Sequence, residues 1–182
     1  MSETMPQQDT ETEPTPEEIA AAARTLSKLR PGVLPLPIFL ETTRLTVSSI
    51  VEVVPLRKVD DKVQVLLTKR DDDDPNWPGL LHTPGTVVRP TDEEGNYNSA
   101  FGRIIEGELS SVQLSGEPQY VGSVLHKVAR GMEDAKVFYV EVTGEPAQGV
   151  FYDVDALPEN IVDTQIDFIH SAAKNFVDYQ QQ

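Results

Sequence analysis

Residues 100–109 read AFGRIIEGEL, a segment that we predict to form a helix from about Ser99 to Leu109. Side chains that stand three and four positions apart on a helix share one face. Three carboxylates on such a face can hold hard divalent cations through oxygen, while the cations also contact phosphate groups. The carboxylates of this segment therefore bear on both the fold and the chemistry of the chain.

The composition is that of an ordinary soluble domain with additional polar sequence. The 182 residues are enough for one domain with a sizeable core. No apolar run reaches the length of about 18 residues that a membrane span requires, and the first residues lack the basic and then apolar pattern of a secretory signal. The absence of cysteine excludes disulfides, a thiol nucleophile and thiolate zinc sites. We expect a cytoplasmic protein that does not enter a membrane.

The formal net charge of −15 limits the partners of the chain. A surface with this much negative charge repels phosphate backbones, and we expect no binding to nucleic acid. A small phosphorylated ligand remains compatible if divalent metal ions neutralise its charge locally. Six of the negative charges stand in the leading segment, at Glu3, Asp9, Glu11, Glu13, Glu17 and Glu18.

The first part of the chain divides into a tail, a helix and a connector. Residues 1–14 are acidic and rich in Pro, Gln and Thr, and we expect a disordered tail. Thr15 as N-cap, Pro16 in the first helical position and Glu18 in a capping box predict a helix that stops at Pro31-Gly32. We expect its apolar stripe to dock on the domain or on a partner subunit. The stripe consists of Ile19, Ala22, Ala23, Leu26 and Leu29.

The connector completes a segment that we place at residues 15–44, before a main domain at residues 45–182. Pro35 and Pro37 stand in this connector, and the residue before a proline is biased toward extended backbone. We therefore expect the connector to be extended.

The main domain alternates strand and helix patterns. The runs at 45–58 and 62–70 are rich in β-branched residues and flank a turn at Asp60-Asp61. A short strand near 86–89, a pair of strands within 118–144 with a turn at 131–134, and a C-terminal helix follow. In the second strand of that pair both faces are largely apolar, which indicates an interior strand. Together these elements predict a mixed sheet with helices packed on its faces.

The order of these parts resembles the Nudix family. The resemblance rests on a hairpin that ends in LLTKR, the letters W and TPG, an acidic loop, AFGRIIEGEL, a second hairpin, YDVDALPEN and a final helix. It covers roughly residues 45–180 and implies an α/β/α sandwich with a mixed β-sheet, here with an additional N-terminal helix. Most members of the family use Mg²⁺ or Mn²⁺ to hydrolyse a diphosphate linkage between a nucleoside and another group.

The metal-binding signature of that family is degenerate in this chain. The signature reads Gly, five residues, Glu, seven residues, then Arg-Glu-apolar-x-Glu-Glu-x-Gly-apolar. Arg103 matches its arginine, whereas the paired and single glutamates of the helix fall on Ile104, Gly107 and Glu108. Only Glu108 keeps a carboxylate on that face. Glu106 lies two residues from Ile104, about 200° around the helix axis, and points away.

The isolated glutamate of the signature has no certain counterpart. Three residues more than the signature allows separate the PGT of positions 84–86 from Arg103, so either Glu93 or Glu94 could fill the place. The resemblance implies Mg²⁺ or Mn²⁺ ligands at Glu108, Glu94 and Glu93, and catalytic roles for Glu108, Arg103 and Glu94. The alternatives are a solvated Glu108 and an Arg103 that merely forms an ion pair.

Four further residues are candidates for substrate binding. Trp77 stands in a region that borders the substrate pocket of the family, where it could stack on a base or instead anchor its loop. His82 precedes TPG and could accept a proton, bind a metal or donate to a phosphate. His126 lies in a predicted strand near Arg130, whose cation could hold phosphate oxygens. We expect the run Asp71–Asp74 to be solvated.

Two functions follow from these residues. The first is a metal-dependent hydrolase of a nucleoside diphosphate linked to another group, weakened by the loss of carboxylates at positions 104 and 107. The alternative is an inactive Nudix-fold module that binds a nucleotide or phosphorylated metabolite. A homodimer that uses the N-terminal helix is a third hypothesis, which concerns assembly.

Overall fold

The computed structural model describes residues 13–180, so residues 1–12 of the tail predicted at 1–14 lie outside the described residues. The helices are α1 (Pro16–Leu26), α2 (Leu36–Leu45), α3 (Asn98–Gly107) and α4 (Ile166–Gln180). The strands are β1 (Val47–Val59), β2 (Lys62–Lys69), β3 (Leu81–His82), β4 (Gly85–Val87), β5 (Gln113–Leu114), β6 (Gln119–Val128), β7 (Gly131–Thr143) and β8 (Val150–Asp153). Within residues 13–180, no helix combines the length and the apolar character of a membrane span.

The sheet is mixed and centres on β1 and β7. These two strands run parallel over ten Cα partners, from Val47 opposite Met132 to Leu56 opposite Glu141. β2 pairs with β1 and β6 pairs with β7, both antiparallel, while the shorter strands extend the edges. The predicted hairpin turn at Asp60-Asp61 is confirmed, and Asp60 takes a positive φ of 54° there.

The interior position predicted for β7 is confirmed by its two apolar faces. Val137 and Tyr139 belong to the core on one side of the sheet, whereas Phe138, Val140 and Val142 belong to the core on the other side. Such alternation is what a strand covered on both faces requires.

Helices cover the two faces of the sheet. Phe168, Ile169 and Phe176 of α4 pack into one core, and Ala100 and Ile104 of α3 pack into the other. The architecture is therefore the α/β/α sandwich with a mixed sheet that the sequence predicts.

The prediction of an extended connector is wrong, because residues 36–45 form α2. Proline is tolerated in the first helical turn, where a missing N–H removes no intrahelical hydrogen bond. Pro37 occupies that turn, and the backbone N–H of Phe39 donates to the carbonyl of Pro35 at 2.9 Å. The prolines therefore begin a helix.

The start of α1 agrees with the sequence, but its apolar stripe does not dock on the domain. Thr15 and Glu18 form the predicted capping box. No residue of α1 is buried, and Ile19 and Leu26 are 56% and 50% exposed.

The turn between β6 and β7 lies two residues earlier than the sequence suggests. Val128 pairs with Gly131, so Ala129 and Arg130 form the turn. Glu133, predicted to stand in the turn, is instead a buried residue of β7. This shift brings its carboxylate into the interior.

Candidate functional site

Glu108 directs its carboxylate into the protein from the C-terminal end of α3. The hydroxyl of Thr68 on β2 donates to Glu108 Oε2 at 2.6 Å. His82 Nε2 lies 3.4 Å from the same oxygen. Burial raises the pKa of Glu108, although the bond from Thr68 and the charge of Arg70 act in the opposite direction.

His82 is held as a neutral imidazole. Its Nδ1 lies 2.7 Å from the carbonyl oxygen of Thr83, so this nitrogen carries the proton and donates. Burial lowers the pKa of His82 to about 4. Its other nitrogen, Nε2, lies 3.1 Å from Thr68 Oγ1 and can only accept.

When Glu108 is ionised, Thr68, His82 and Glu108 together have one hydrogen too few for their mutual hydrogen bonds. The Thr68 hydroxyl has a single hydrogen, while Glu108 Oε2 and His82 Nε2 both need a donor. A proton on Glu108 would donate to Thr68, which would free the hydroxyl hydrogen for His82. The raised pKa of Glu108 agrees with this arrangement.

A second buried carboxyl, that of Glu52, lies beyond Thr83. Thr83 Oγ1 donates to Glu52 Oε2 at 3.0 Å, and Gln165 Nε2 donates to it at 3.1 Å. Burial raises the pKa of Glu52 to about 8. A Cβ on Gly85 would lie 2.7 Å from the Glu52 carboxylate, so a glycine at that position leaves room for the group.

Sequence reasoning missed Glu52, although a signal was present. The residue interrupts the apolar run from Ile50 to Val54, where ionisable side chains are rarely found unless they are partnered. A lone acidic residue in an interior strand is therefore a candidate site residue.

Beside Glu52, a cavity of about 10 Å³ brings together three of the predicted substrate-binding residues, Trp77, His126 and Arg130. These residues come from the loop after β2, from β6 and from the β6–β7 turn. His82 does not line the cavity. The remaining lining residues are Glu52, Arg70, Val128, Glu133, Val162, Thr164, Gln165 and Phe168.

Two guanidinium groups contact the ring of Trp77. The Cζ atoms of Arg70 and Arg130 each lie 5.2 Å from the centroid of the Trp77 ring, within the range of a cation–π contact. Arg130 Nε also donates to Glu133 Oε1 at 2.6 Å. Asp74 accepts from the backbone N–H of Trp77 at 2.9 Å, so one residue of the aspartate run holds this loop and is only partly solvated.

Two donor or acceptor atoms at this cavity lack partners. Arg70 Nε and His126 Nε2 are buried and form no hydrogen bond among residues 13–180. Buried polar groups are nearly always satisfied in folded proteins. A cavity of this size has room for one water molecule, which would satisfy these groups.

An open cleft of about 450 Å³ adjoins the cavity at Arg130. The cleft lies between α2, the loop at Pro75-Asn76 and the β6–β7 turn, and its volume falls in the range of small-molecule sites. Arg44 and Lys127 also line it. Arg44 is paired with Glu41 at 2.7 Å, while Lys127 forms no ion pair in the described part of the chain. The cleft is thus a local concentration of cations on an acidic protein.

The predicted metal ligands do not form a metal centre. Ile104 is buried in the core, and Gly107 offers no side chain. Glu93 and Glu94 are exposed in the loop before α3. Between residues 13 and 180, no group of three or more His, Asp or Glu side chains is placed to hold an ion. The residues present do not fit the divalent metal site of a Nudix hydrolase, and no hydrolytic step through a metal follows from them.

Arg103 serves the loop before α3. Its Nη2 donates to Asp92 Oδ2 and to the carbonyl of Val87, both at 2.9 Å, and Nη1 donates to the carbonyl of Ser99 at 3.2 Å. The partners of Arg103 therefore do not include Glu108. Its predicted catalytic role stays a prediction.

Comparison with known proteins places this arrangement in a structural context. No family model matches the chain, and no curated protein sequence matches it. A mutT/nudix family protein from Listeria innocua superposes with a TM-score of 0.58 at 18% identity, over 74% of this chain and 96% of that chain. The NUDIX domain of Shewanella oneidensis NrtR, solved with ADP ribose, gives 0.55 at 15% identity, over 85% and 97%.

A third match is the Ap4A hydrolase of C. elegans, with a TM-score of 0.54 at 11% identity, over 72% of this chain and 99% of that chain. Each structure is covered almost completely, so the likeness extends over a whole Nudix domain. At these identities it concerns the chain trace rather than the reaction. The protein described here has the Nudix fold.

Proposed function

We propose that this protein is a Nudix-fold module that binds a small phosphorylated ligand of the nucleotide class in the cleft beside Trp77. The observation that carries the proposal is the pair of guanidiniums of Arg70 and Arg130, each in cation–π contact with Trp77, beside two buried polar atoms without partners. Guanidiniums bind phosphate oxygens.

In this proposal the cleft and the inner cavity interact with different parts of the ligand. Arg130 lines both spaces, so it can bind a phosphate in the cleft while Lys127 supplies a second positive charge. Trp77 contacts the guanidinium of Arg130 and so holds that cation at the inner edge of the cleft. His126 Nε2 and Arg70 Nε lie deeper, at a cavity with room for one water molecule, and in this proposal that water connects them to the ligand. Anions are attracted to this patch even though the whole protein is negative, because salt screens charges beyond about 8–10 Å.

The binding proposal is tested by calorimetry with ADP-ribose and Ap4A, with and without Mg²⁺. These probes are the ligand present in the NrtR structure and the compound named in the hydrolase. We expect saturable binding without added metal. Trp77→Ala and Arg130→Ala should each weaken it about tenfold or more, because a charge-assisted contact contributes about 1.5–3 kcal/mol.

A matched control is Arg57→Ala. Arg57 also forms a cation–π contact, at 3.5 Å from the centroid of the Phe151 ring. It lies near the C-terminal end of β1 and outside the cleft. Its replacement should leave the affinity unchanged. Absence of binding by both probes, or equal losses in the Arg57 and Arg130 variants, would contradict the proposal.

Metal-dependent hydrolysis is the second candidate function. It is favoured by the shifted pKa values of Glu108, His82 and Glu52, since such groups cluster at catalytic sites. Product release from the same probes with Mg²⁺ or Mn²⁺ distinguishes the two candidates. We expect no product. Turnover that disappears in Glu108→Gln would establish hydrolysis instead.

A further inference from the structure

We propose that two copies of this protein exchange their N-terminal helices, so that α1 of each copy occupies a groove on the other. The groove has a volume of about 600 Å³ and lies between α2, the first residues of β1, and the end of β4 with the residues that follow it. We call it the α2 groove. It is lined by Gly32, Val33, Leu34, Leu36, Phe39, Thr42, Thr43, residues 46–49 and residues 86–90.

Exposed apolar side chains concentrate in the segment that contains α1, α2 and the first residue of β1. Of the large hydrophobic residues that are exposed among residues 13–180, half lie within the segment 19–47 and the rest are spread over the remaining chain. Contiguous exposed apolar surface marks an interaction site. The members of the concentrated set are Ile19, Leu26, Val33, Leu36, Leu45 and Val47.

The apolar face of α1 and the α2 groove are complementary but do not meet within one chain. No residue of α1 lines the groove, and no residue of α1 is buried. Val33 and Leu34, a few residues after α1, form part of the groove wall. The α1 helix of the same chain is therefore attached at the edge of the groove. The helix of a second copy can enter without that constraint.

Charge and area favour the same occupant. The first turn of α1 carries Glu17 and Glu18, while the guanidinium of Arg89 at the groove forms no ion pair within the described residues. A stable interface buries about 1,200 Å² or more of surface in total. One 11-residue helix in one groove buries less surface than that. A two-fold exchange doubles the contact and closes the assembly as a dimer.

The first test measures the mass of the full chain by light scattering after size exclusion. We expect about twice the chain mass of 20.1 kDa at tens of micromolar protein. The double variant Ile19→Asp with Leu26→Asp should be monomeric, and its circular dichroism should retain the fold because both residues are exposed. The matched control is Leu125→Asp, since Leu125 is 64% exposed on β6 and outside the groove. A monomeric wild-type chain would overturn the proposal, as would a dimer that the double variant retains.

The second test uses the absence of cysteine from the sequence. Two single variants, Ala22→Cys on α1 and Thr42→Cys in the groove, are mixed and oxidised. We expect covalent dimers that contain one copy of each variant, in clear excess over either variant alone. Placing both cysteines in one chain distinguishes exchange from folding back: a disulfide within the chain, with no cross-linked dimer, would overturn the proposal. This inference does not depend on the ligand of the Trp77 cleft.

Discussion

Glu52 illustrates how one residue can link burial to chemistry. Its carboxyl is 6% exposed and accepts hydrogen bonds from Thr83 and Gln165. The charges of Glu133 and Glu108 oppose its ionisation, the charge of Arg70 favours it, and burial outweighs the rest. The folded protein therefore holds a proton on this side chain near neutral pH. Such a group can serve a site by changing its protonation state when a ligand enters.

The stability of the protein should fall as the pH rises from about 6.5 to 8. Unfolded Glu52 loses its proton near its ordinary pKa of 4.5, whereas the folded group keeps it until about 8. The folded state therefore binds more protons in this interval, and the free energy of unfolding decreases with pH. The lowered pKa of His82 acts oppositely, but only between about 4 and 6.5.

Chemical denaturation at pH 6.5 and 8 measures this effect. The wild-type chain should lose on the order of 1–2 kcal/mol over that interval. Glu52→Gln, which cannot titrate, should show a flatter profile. The same slope in both proteins would contradict the assignment of the proton to Glu52.

At the scale of the element, α3 retains its place in the fold while lacking most of the signature carboxylates. Ala100 and Ile104 bury one face of the helix. Gly102 costs about 1 kcal/mol relative to alanine in a helix interior, whereas Gly107 is the last residue of the helix. Arg103 offsets part of this cost, because it ties the helix to Asp92 and to the carbonyl of Val87. Its place in the signature thus coincides with a structural contact.

Replacing Arg103 should therefore destabilise the domain more than replacing an exposed arginine. Arg103→Met keeps much of the side-chain stem but removes the guanidinium from Asp92, whose side chain is 8% exposed and then keeps only the backbone N–H of Arg89 as a donor. The expected loss is about 2–3 kcal/mol by urea denaturation. Arg44→Met removes an exposed pair with Glu41 and should cost about 0.5 kcal/mol or less. Equal losses in the two variants would show that the Arg103 contacts contribute little.

At the scale of the whole molecule, the net charge of −15 governs long-range encounters. The basic patch of the Trp77 cleft acts only over short distances, because salt screens charges beyond about 8–10 Å. A small anion can approach this patch, whereas an extended polyanion must also approach the acidic remainder.

We accordingly predict that duplex DNA does not bind at physiological salt. Non-specific binding by proteins that do bind DNA has a Kd of about 10⁻⁴–10⁻⁶ M under such conditions. Fluorescence anisotropy with a labelled duplex should give no saturable change up to that range. Saturable binding that disappears in Arg130→Ala would contradict the prediction and would assign the cleft to a nucleic acid.

Local features of the chain could be predicted directly from its sequence. The capping box of α1, the Asp60-Asp61 turn and the two apolar faces of β7 depend on residues close together in sequence, and all three are confirmed. The order of the parts also indicated the Nudix fold. The prediction of an extended connector at Pro35 and Pro37 was wrong, because proline favours both an extended residue before it and the first turn of a helix.

Contacts between distant segments could not be read in this way. Trp77 lies about 50 residues before His126 and Arg130 in the sequence, and only the tertiary fold brings the three to one cavity. The burial that raises the pKa of Glu52 likewise comes from neighbours on other elements. Strand patterns and caps follow from short-range sterics and hydrogen bonds, so sequence suffices for them. The cleft, the proton-holding carboxyls and the uncovered stripe of α1 depend on how the layers pack, and burial and electrostatic environment are properties of that packing.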